Sequence, residues 1–326
     1  MKFGVLQFFS WPGRRVPLQT IYERATDDVK IMDQAGYDTV WLAEHHFSTY
    51  SVCPSVHIMG MHLAHLTKNI RIGTAVSLAA FYHPLRLAEE LALVDNLSGG
   101  RLNVGFGRGF DQTEMEAFGV SAETSYEKFH ENVEIVQSAW REGSLSYQGK
   151  HHSFENIEVL PKPIQTPLPT WIGASSPGAI KWAAEKGFAI LMDPHSSHTE
   201  IGEKFAAYRQ TLKDNHHQND LSTPVARLIA IAKTDQQAEE IARRGAEWTV
   251  GSYAGPKKGG PPTTLTPEDM VNRYVDEVII HGSPSKVIDK LHELNETISL
   301  DYLLASILSH ESFIRLTDEV LPNLKS

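Results

Sequence analysis

Cysteine is nearly absent from this chain. The single Cys53 in 326 residues excludes an internal disulfide framework and any metal site built on several thiolates. Long apolar runs are missing too: no stretch approaches the roughly 18 consecutive apolar residues of a membrane helix. The opening MKFGVLQFFSW lacks the basic segment, apolar run and cleavage site of a secretory signal, so a cytoplasmic protein without a membrane partner is expected. Basic residues are outnumbered, 30 Lys and Arg against 40 Asp and Glu, and the net charge of -10 disfavours nonspecific nucleic-acid binding. Neither HExxH nor a compact His/Cys cluster occurs, and no metal is expected. GTAVSL and GFGRGF both lack the spacing and downstream acidic residue of a dinucleotide-binding Rossmann fingerprint.

What is present is repetition. MKFGVLQFF reads as a strand and PLQTIYERATDDVKIMDQAG as a helix; YDTVWLAE, residues 54–66, IRIGTAVSL and the helix opening at Pro84 repeat the rhythm. Gly99 and Gly100 give that helix an exit into a fourth strand, RLNVGFG, followed by the helix SYEKFHENVEIVQSAWREG. After an irregular connection come TWIGAS, SPGAIKWAAEKG, FAILM and EIGEKFAAYRQTLKDNH, then TPVARLIAIAK, DQQAEEIARRGAEWTV, SPSKVIDKLHELNET and a last strand, SLDYLLAS. Eight strands alternating with helices predict an α/β fold, a single (β/α)8 TIM barrel over residues 1–326, with elaborated connections near 143–168 and 250–275. Closure removes the sheet edges that a doubly wound sheet would leave. The same architecture gathers the loops after the strands at one end, where residues remote in sequence can act together.

Three of those loops carry chemistry. Glu44-His45-His46 follows the second strand; an imidazole exchanges protons near neutral pH, and a neighbouring carboxylate can orient it, although holding the loop is an equally physical role. Arg108 follows the fourth strand, with a guanidinium suited to phosphate or simply to the surface. Ser175 and Ser176 follow the fifth, and the Pro-Gly-Ala run through Gly178 and Ala179 enters a helix whose first N–H groups suit an anion; the serines can equally cap that helix. Phe8, Phe9, Trp11, Phe47, Phe106 and Phe110 lie near strand ends and can serve as pocket walls or core.

The segments WLAEHHF (41–47), GTAV (73–76), GRGF (107–110) and ASSPGAIKWAAEKG (174–187) occur in an order and context that resembles the luciferase-like flavin monooxygenases, nearly across the chain. That resemblance implies an enzyme taking reduced FMN as cosubstrate with O₂ to oxygenate a small organic substrate, the FMN coming from a separate NAD(P)H-dependent flavin reductase. It makes His45 the catalytic proton participant with Glu44 as its orienting or active-site neighbour. Arg108, Ser175, Ser176, Gly178 and Ala179 become the phosphate site, and Ala75-Val76 a nonproline cis peptide behind the flavin ring. It also raises a lid over residues 251–262 and leaves room for a homodimer. An F420-dependent hydride-transfer oxidoreductase and a noncatalytic flavin-binding or interaction protein are the competing readings.

Overall fold

The computed structural model describes residues 1–254, 265–298 and 300–324. The strands of its main sheet are short and mostly buried, and α2, α5 to α9 and α11 each start on a serine or threonine whose oxygen accepts an orphan N–H bond. The first units are β1 (Lys2–Gln7), α1 (Leu18–Ala35), β2 (Thr39–Leu42), α2 (Val56–Leu66) and β3 (Arg71–Thr74). α1 ends on Gly36 at φ 73, and Ser55 caps α2 by accepting from Ile58 N. Then follow β4 (Ser77–Leu78), α3 (Pro84–Leu97), β5 (Leu102–Gly107), α4 (Gln112–Ala117) and α5 (Ala122–Ala139).

The expected single strand IRIGTAVSL is thus two, β3 and β4, broken at a cis Ala75–Val76 peptide. The irregular connection after α5 folds as an antiparallel hairpin, β6 (Leu145–Gln148) with β7 (Ser153–Ile157). Beyond it lie β8 (Thr170–Gly173), α6 (Pro177–Glu185), β9 (Ala189–Leu191), α7 (His198–Asp214), β10 (Pro224–Ile231) and α8 (Asp235–Thr249). α9 (Pro267–Arg273), β11 (Ile280–Gly282), α10 (Pro284–Ile298), β12 (Tyr302–Ile307), α11 (His310–Arg315) and α12 (Leu321–Leu324) complete the described chain. β11 and α4 are too short to have shown a period in the sequence. Most of the expected lid, 255–262, lies outside the described residues.

The strands form one curled, parallel sheet in the order β11-β10-β12-β1-β2-β3-β5-β8-β9, with β4 beside β5. One further parallel bridge, Met192 to Val225, leads from the end of β9 back to β10. The alternation of strand side chains divides the apolar residues into two layers. Val5, Val40, Val225 and Leu303 face the helices, while Leu6, Trp41, Ala226 and Leu304 pack with Trp171 and Tyr302 inside the curl. Trp41 donates its Nε1–H to Tyr302 Oη at 3.0 Å, and Tyr302 donates to Asp38 at 2.7 Å. Gly73 is required opposite, because a Cβ there would overlap the Trp41 ring. These aromatic side chains fill the interior beneath the C-terminal ends of the strands and leave the ligand space above them. Among the described residues, no helix is long and apolar enough to cross a membrane.

Candidate active site

A pocket of about 330 Å³ opens at the C-terminal ends of the strands, lined by residues that follow β2, β3, β5, β8 and β9. His45, Glu44, Ala75, Val76, Arg108, Ser175, Ser176 and Ala179 all border it; Gly178 sits exposed in the first turn of α6 and does not. The topology therefore gathers nearly all the expected site residues from four separate loops.

Glu44 and His45 border the same pocket, and the printed partners of Glu44 lie on its other side: its Oε1 is 3.1 Å from His46 Nε2 and accepts from Tyr82 Oη at 3.0 Å. The carboxylate beside His45 is Glu114, at the buried start of α4, 3.4 Å from Nδ1; it also accepts the His46 backbone N–H at 2.8 Å. The side chains at 44 and 46 meet each other, while that at 45 lies beside Glu114. Glu44, almost fully buried, borders both this pocket and an adjoining cavity that His46 and Tyr82 also line. Phe8 stacks at 6.3 Å from the His45 ring and Tyr50 meets it edge-on at 5.1 Å, so the imidazole is held on its flanks.

Arg108 leaves the end of β5 and donates to Ser125 Oγ at 2.8 Å, with its guanidinium 4.0 Å over the Tyr126 ring. Both contacts come from α5 and fix the fork at the rim. Ser176 is the N-cap of α6, its Oγ accepting from Ala179 N at 3.3 Å. A phosphate-bearing flavin fits this donor set: a guanidinium, a serine-rich loop and the first turn of a nine-residue helix face one pocket. Open space over Gly178 keeps that turn accessible. Deeper in, a Cβ at Gly107 or at Gly173 would crowd Val76, so these two glycines give the segment bearing the cis peptide its place on the pocket wall.

Of the aromatic residues at strand ends, Phe8 and Phe110 line the pocket. Phe9 and Phe106 are core, Trp11 is half-buried and donates to Val16 O, and Phe47 is exposed.

The residues that sequence reasoning missed follow β9. Asp193 accepts from His195 N, Ser196 N and Ser196 Oγ at 2.8–3.0 Å and pairs with Lys204 at 2.8 Å. Burial would raise its pKa, but the Lys204 charge and hydrogen bond overcome this and bring it to about 2. His195 lines the pocket, with Nδ1 3.0 Å from Tyr274 Oη; burial pushes its pKa down to about 4, so it is neutral at pH 7. The signal available beforehand was Asp-Pro-His directly after a predicted barrel strand.

Fold and site together define a (β/α) protein of the parallel-sheet class with an arginine, a helix N-terminus and a histidine at one shared mouth. The chain belongs to the luciferase-like monooxygenase family, whose pattern it matches over residues 1–300. It is 27% identical over 248 residues to the oxygenase component of a flavin-dependent trigonelline monooxygenase from Acinetobacter baylyi, covering 74% of this chain and 68% of that one. The oxygenating constituent of 3,6-diketocamphane monooxygenase from Pseudomonas putida, solved with FMN, shares the fold at TM-score 0.81 and 20% identity, covering 99% of this chain and 98% of that one. An F420-dependent secondary alcohol dehydrogenase superposes at TM-score 0.78 and 14% identity, covering 99% and 97%.

Proposed function

We propose that residues 1–326 act as one (β/α)8 barrel unit, the oxygenase component of a two-component monooxygenase, which takes reduced FMN from a separate NAD(P)H-dependent reductase and uses O₂ to oxygenate a small organic substrate. The observation that carries this reading is the convergence of Arg108, the α6 start, the Ala75-Val76 segment and His45 on one pocket. Bound FMN would supply the electron transfer to O₂. Arg108, the Ser175-Ser176 loop and the first turn of α6 would hold its phosphate, and Ala75 and Val76 would back its ring. A ring tethered at the rim keeps one register against the substrate, which lowers the entropic part of the barrier.

His45 would hold or deliver the proton that oxygen insertion requires, its ring aimed by Glu114, Phe8 and Tyr50. Glu44 keeps His46, Tyr82 and the Leu78 N–H in place and so fixes the loop from below. Apolar Leu6, Phe8, Leu191 and Leu304 keep water out of the deeper pocket. Exposed Ile58 and Leu66 on α2, with Leu93 and Leu97 on α3, support a homodimer through that face.

The shared fold with an F420-dependent enzyme favours a second reading, hydride transfer from reduced F420 without O₂. Anaerobic titration with reduced FMN and with reduced F420, followed by rapid mixing of each complex with oxygen, separates the two. Binding of reduced FMN and its fast reoxidation with oxygenated product support the proposal. Selective F420 binding with hydride exchange overturns it, and FMN binding without turnover on any substrate class makes the protein a noncatalytic flavin binder.

A further inference from the structure

Filling a barrel interior takes apolar volume alone, yet the side chains beneath the pocket form a hydrogen-bonded row. Trp41 Nε1–H donates to Tyr302 Oη at 3.0 Å, and Tyr302 donates to Asp38 Oδ2 at 2.7 Å. The same carboxylate oxygen accepts from Thr39 Oγ1 at 2.7 Å. Trp41 and Tyr302 are among the largest buried side chains of the molecule. Burial and the Asp38 charge hold the Tyr302 phenol well above the ordinary tyrosine range, so it keeps its proton at rest.

Two strand glycines make the row possible. Tyr302 stands on β12 and Trp41 on β2, with β1 between them. A Cβ at Gly4 of β1 would lie 2.9 Å from Tyr302 Oη, and one at Gly73 of β3 would overlap the Trp41 ring. Glycine inside a strand costs backbone entropy and packing. The chain accepts that cost twice where the indole and the phenol meet.

The row joins the two ends of the barrel. Ala43 and Leu304 line the ligand pocket, each two residues further along the strand than Trp41 and Tyr302, a rise of about 7 Å on the same face. At the N-terminal ends of the strands another cavity, of about 270 Å³, is lined by Tyr302, Asp38, Lys2 and Trp171. Trp171 stands edge-on to Trp41 at 5.2 Å, but its N–H donates to Ser222 O at 2.9 Å, and a backbone carbonyl takes up no proton near neutral pH. Tyr302 faces a carboxylate, which does.

We propose that Trp41, Tyr302 and Asp38 form a radical exit that carries an oxidising equivalent from the ligand pocket to the opposite end of the barrel. A one-electron oxidant in the pocket, a photoexcited flavin or an oxygen-derived radical, takes an electron from the Trp41 indole and is itself reduced. Tyr302 gives an electron to the indole cation while its phenolic proton passes to Asp38 Oδ2. This leaves a neutral tryptophan, a neutral tyrosyl radical and a carboxylic acid. Losing electron and proton together spares the phenol a buried positive charge, so the oxidising equivalent settles there. A small reductant of the ascorbate or thiol class in the lower cavity returns the electron, and Asp38 returns the proton. The pocket is thereby cleared of an oxidant that would otherwise attack Met192 on its wall. The inference rests on the FMN reading above for its flavin oxidant alone.

The test is a blue-light flash on the full chain loaded with oxidised FMN under anaerobic conditions, followed by transient absorption and electron paramagnetic resonance. Wild type is expected to give a neutral tyrosyl radical, formed more slowly in D₂O because a proton moves with the electron. W41F, Y302F and D38N are each expected to lose it. Tyr126 and Trp182 line the pocket as well, and Y126F and W182F are expected to keep it. A tyrosyl signal that survives in Y302F, one that D38N and D₂O leave unaltered, or none in FMN-loaded wild type overturns the proposal and makes the row a filling alone. D38N retains an acceptor for the phenol and decides the matter where Y302F does not fold. Wild type that binds no FMN removes the FMN reading. A ruthenium photo-oxidant attached at S175C on the pocket wall, with Cys53 buried, then takes the place of the flavin, and the same outcomes decide this inference.

Discussion

The two sides of the mouth are built on different principles. On the cradle side, Ser176 bonds Ala179 three residues away and Arg108 bonds Ser125 seventeen away, each run carrying its own polar group to the rim. On the histidine side, His45 meets Glu114 across 69 positions, His195 meets Tyr274 across 79, and Arg227 reaches back 34 to Asp193. A locally built site loses one contact when one residue changes. A site assembled from remote elements loses several, because each member orients the next, and its substitutions do not add.

Four substitutions sharpen or break this contrast. H45Q has the largest expected effect: reduced FMN binds as before, and the rate of the proton-dependent step falls about 10²–10⁴-fold. Stopped-flow oxygen mixing across pH measures it, and equal rates at every pH would confine His45 to a structural role. D193A comes next, costing about 2–4 kcal/mol in urea unfolding, since it strands Lys204 and releases three donors at once. The sign with pH is set by a carboxylate whose folded pKa, about 2, lies below its ordinary 3.8. Its contribution is complete above the unfolded value and fades as pH falls through about 2. A wild-type advantage over D193A that persists unchanged below that pH would place the stabilisation elsewhere.

R108A tests the cradle side and should weaken reduced FMN about tenfold or more while leaving the unfolding midpoint in place, because Arg108 fills a rim and not a core. An unaltered dissociation constant in the folded variant removes it from the phosphate site. S176A is smallest: about 1 kcal/mol of stability from the lost cap, with FMN affinity reduced by a few-fold at most. Should S176A instead cripple the protein as D193A does, the division between local and assembled sides fails.

The same division marks what could be read from the sequence. The strand-helix rhythm, the glycine exit at 99–100 and the positions of His45, Arg108 and Ser176 at strand ends are local properties, and the structure places them so. The pairing of Glu44 with His46 joins two residues of one short loop and was within reach. Glu114 was not, being an acidic residue on a six-residue helix with no pattern of its own. Arg227 was not singled out: it is an arginine inside the apolar run of TPVARLIAIAK, and what it touches depends on the loop after the preceding strand. The cis peptide at Ala75–Val76 was expected only from resemblance, and the break between β3 and β4 was not expected, as two apolar residues continue a strand pattern without interruption.

Leu6, Ala226 and Leu304 line the pocket and pack on the plug of Trp41, Trp171 and Tyr302 beneath it, which has a consequence for traffic. A molecule seated against Leu6 and Leu304 and a second that settles nearer the rim both leave by the C-terminal end of the strands, so the later arrival must depart first. Kinetically this is a last-in, first-out queue: an inert compound lodged near the rim would slow the release of a cofactor it never touches chemically. Dissociation of FMN, followed at rising concentrations of such a compound, would slow toward zero without any change in the intrinsic affinity of the cradle.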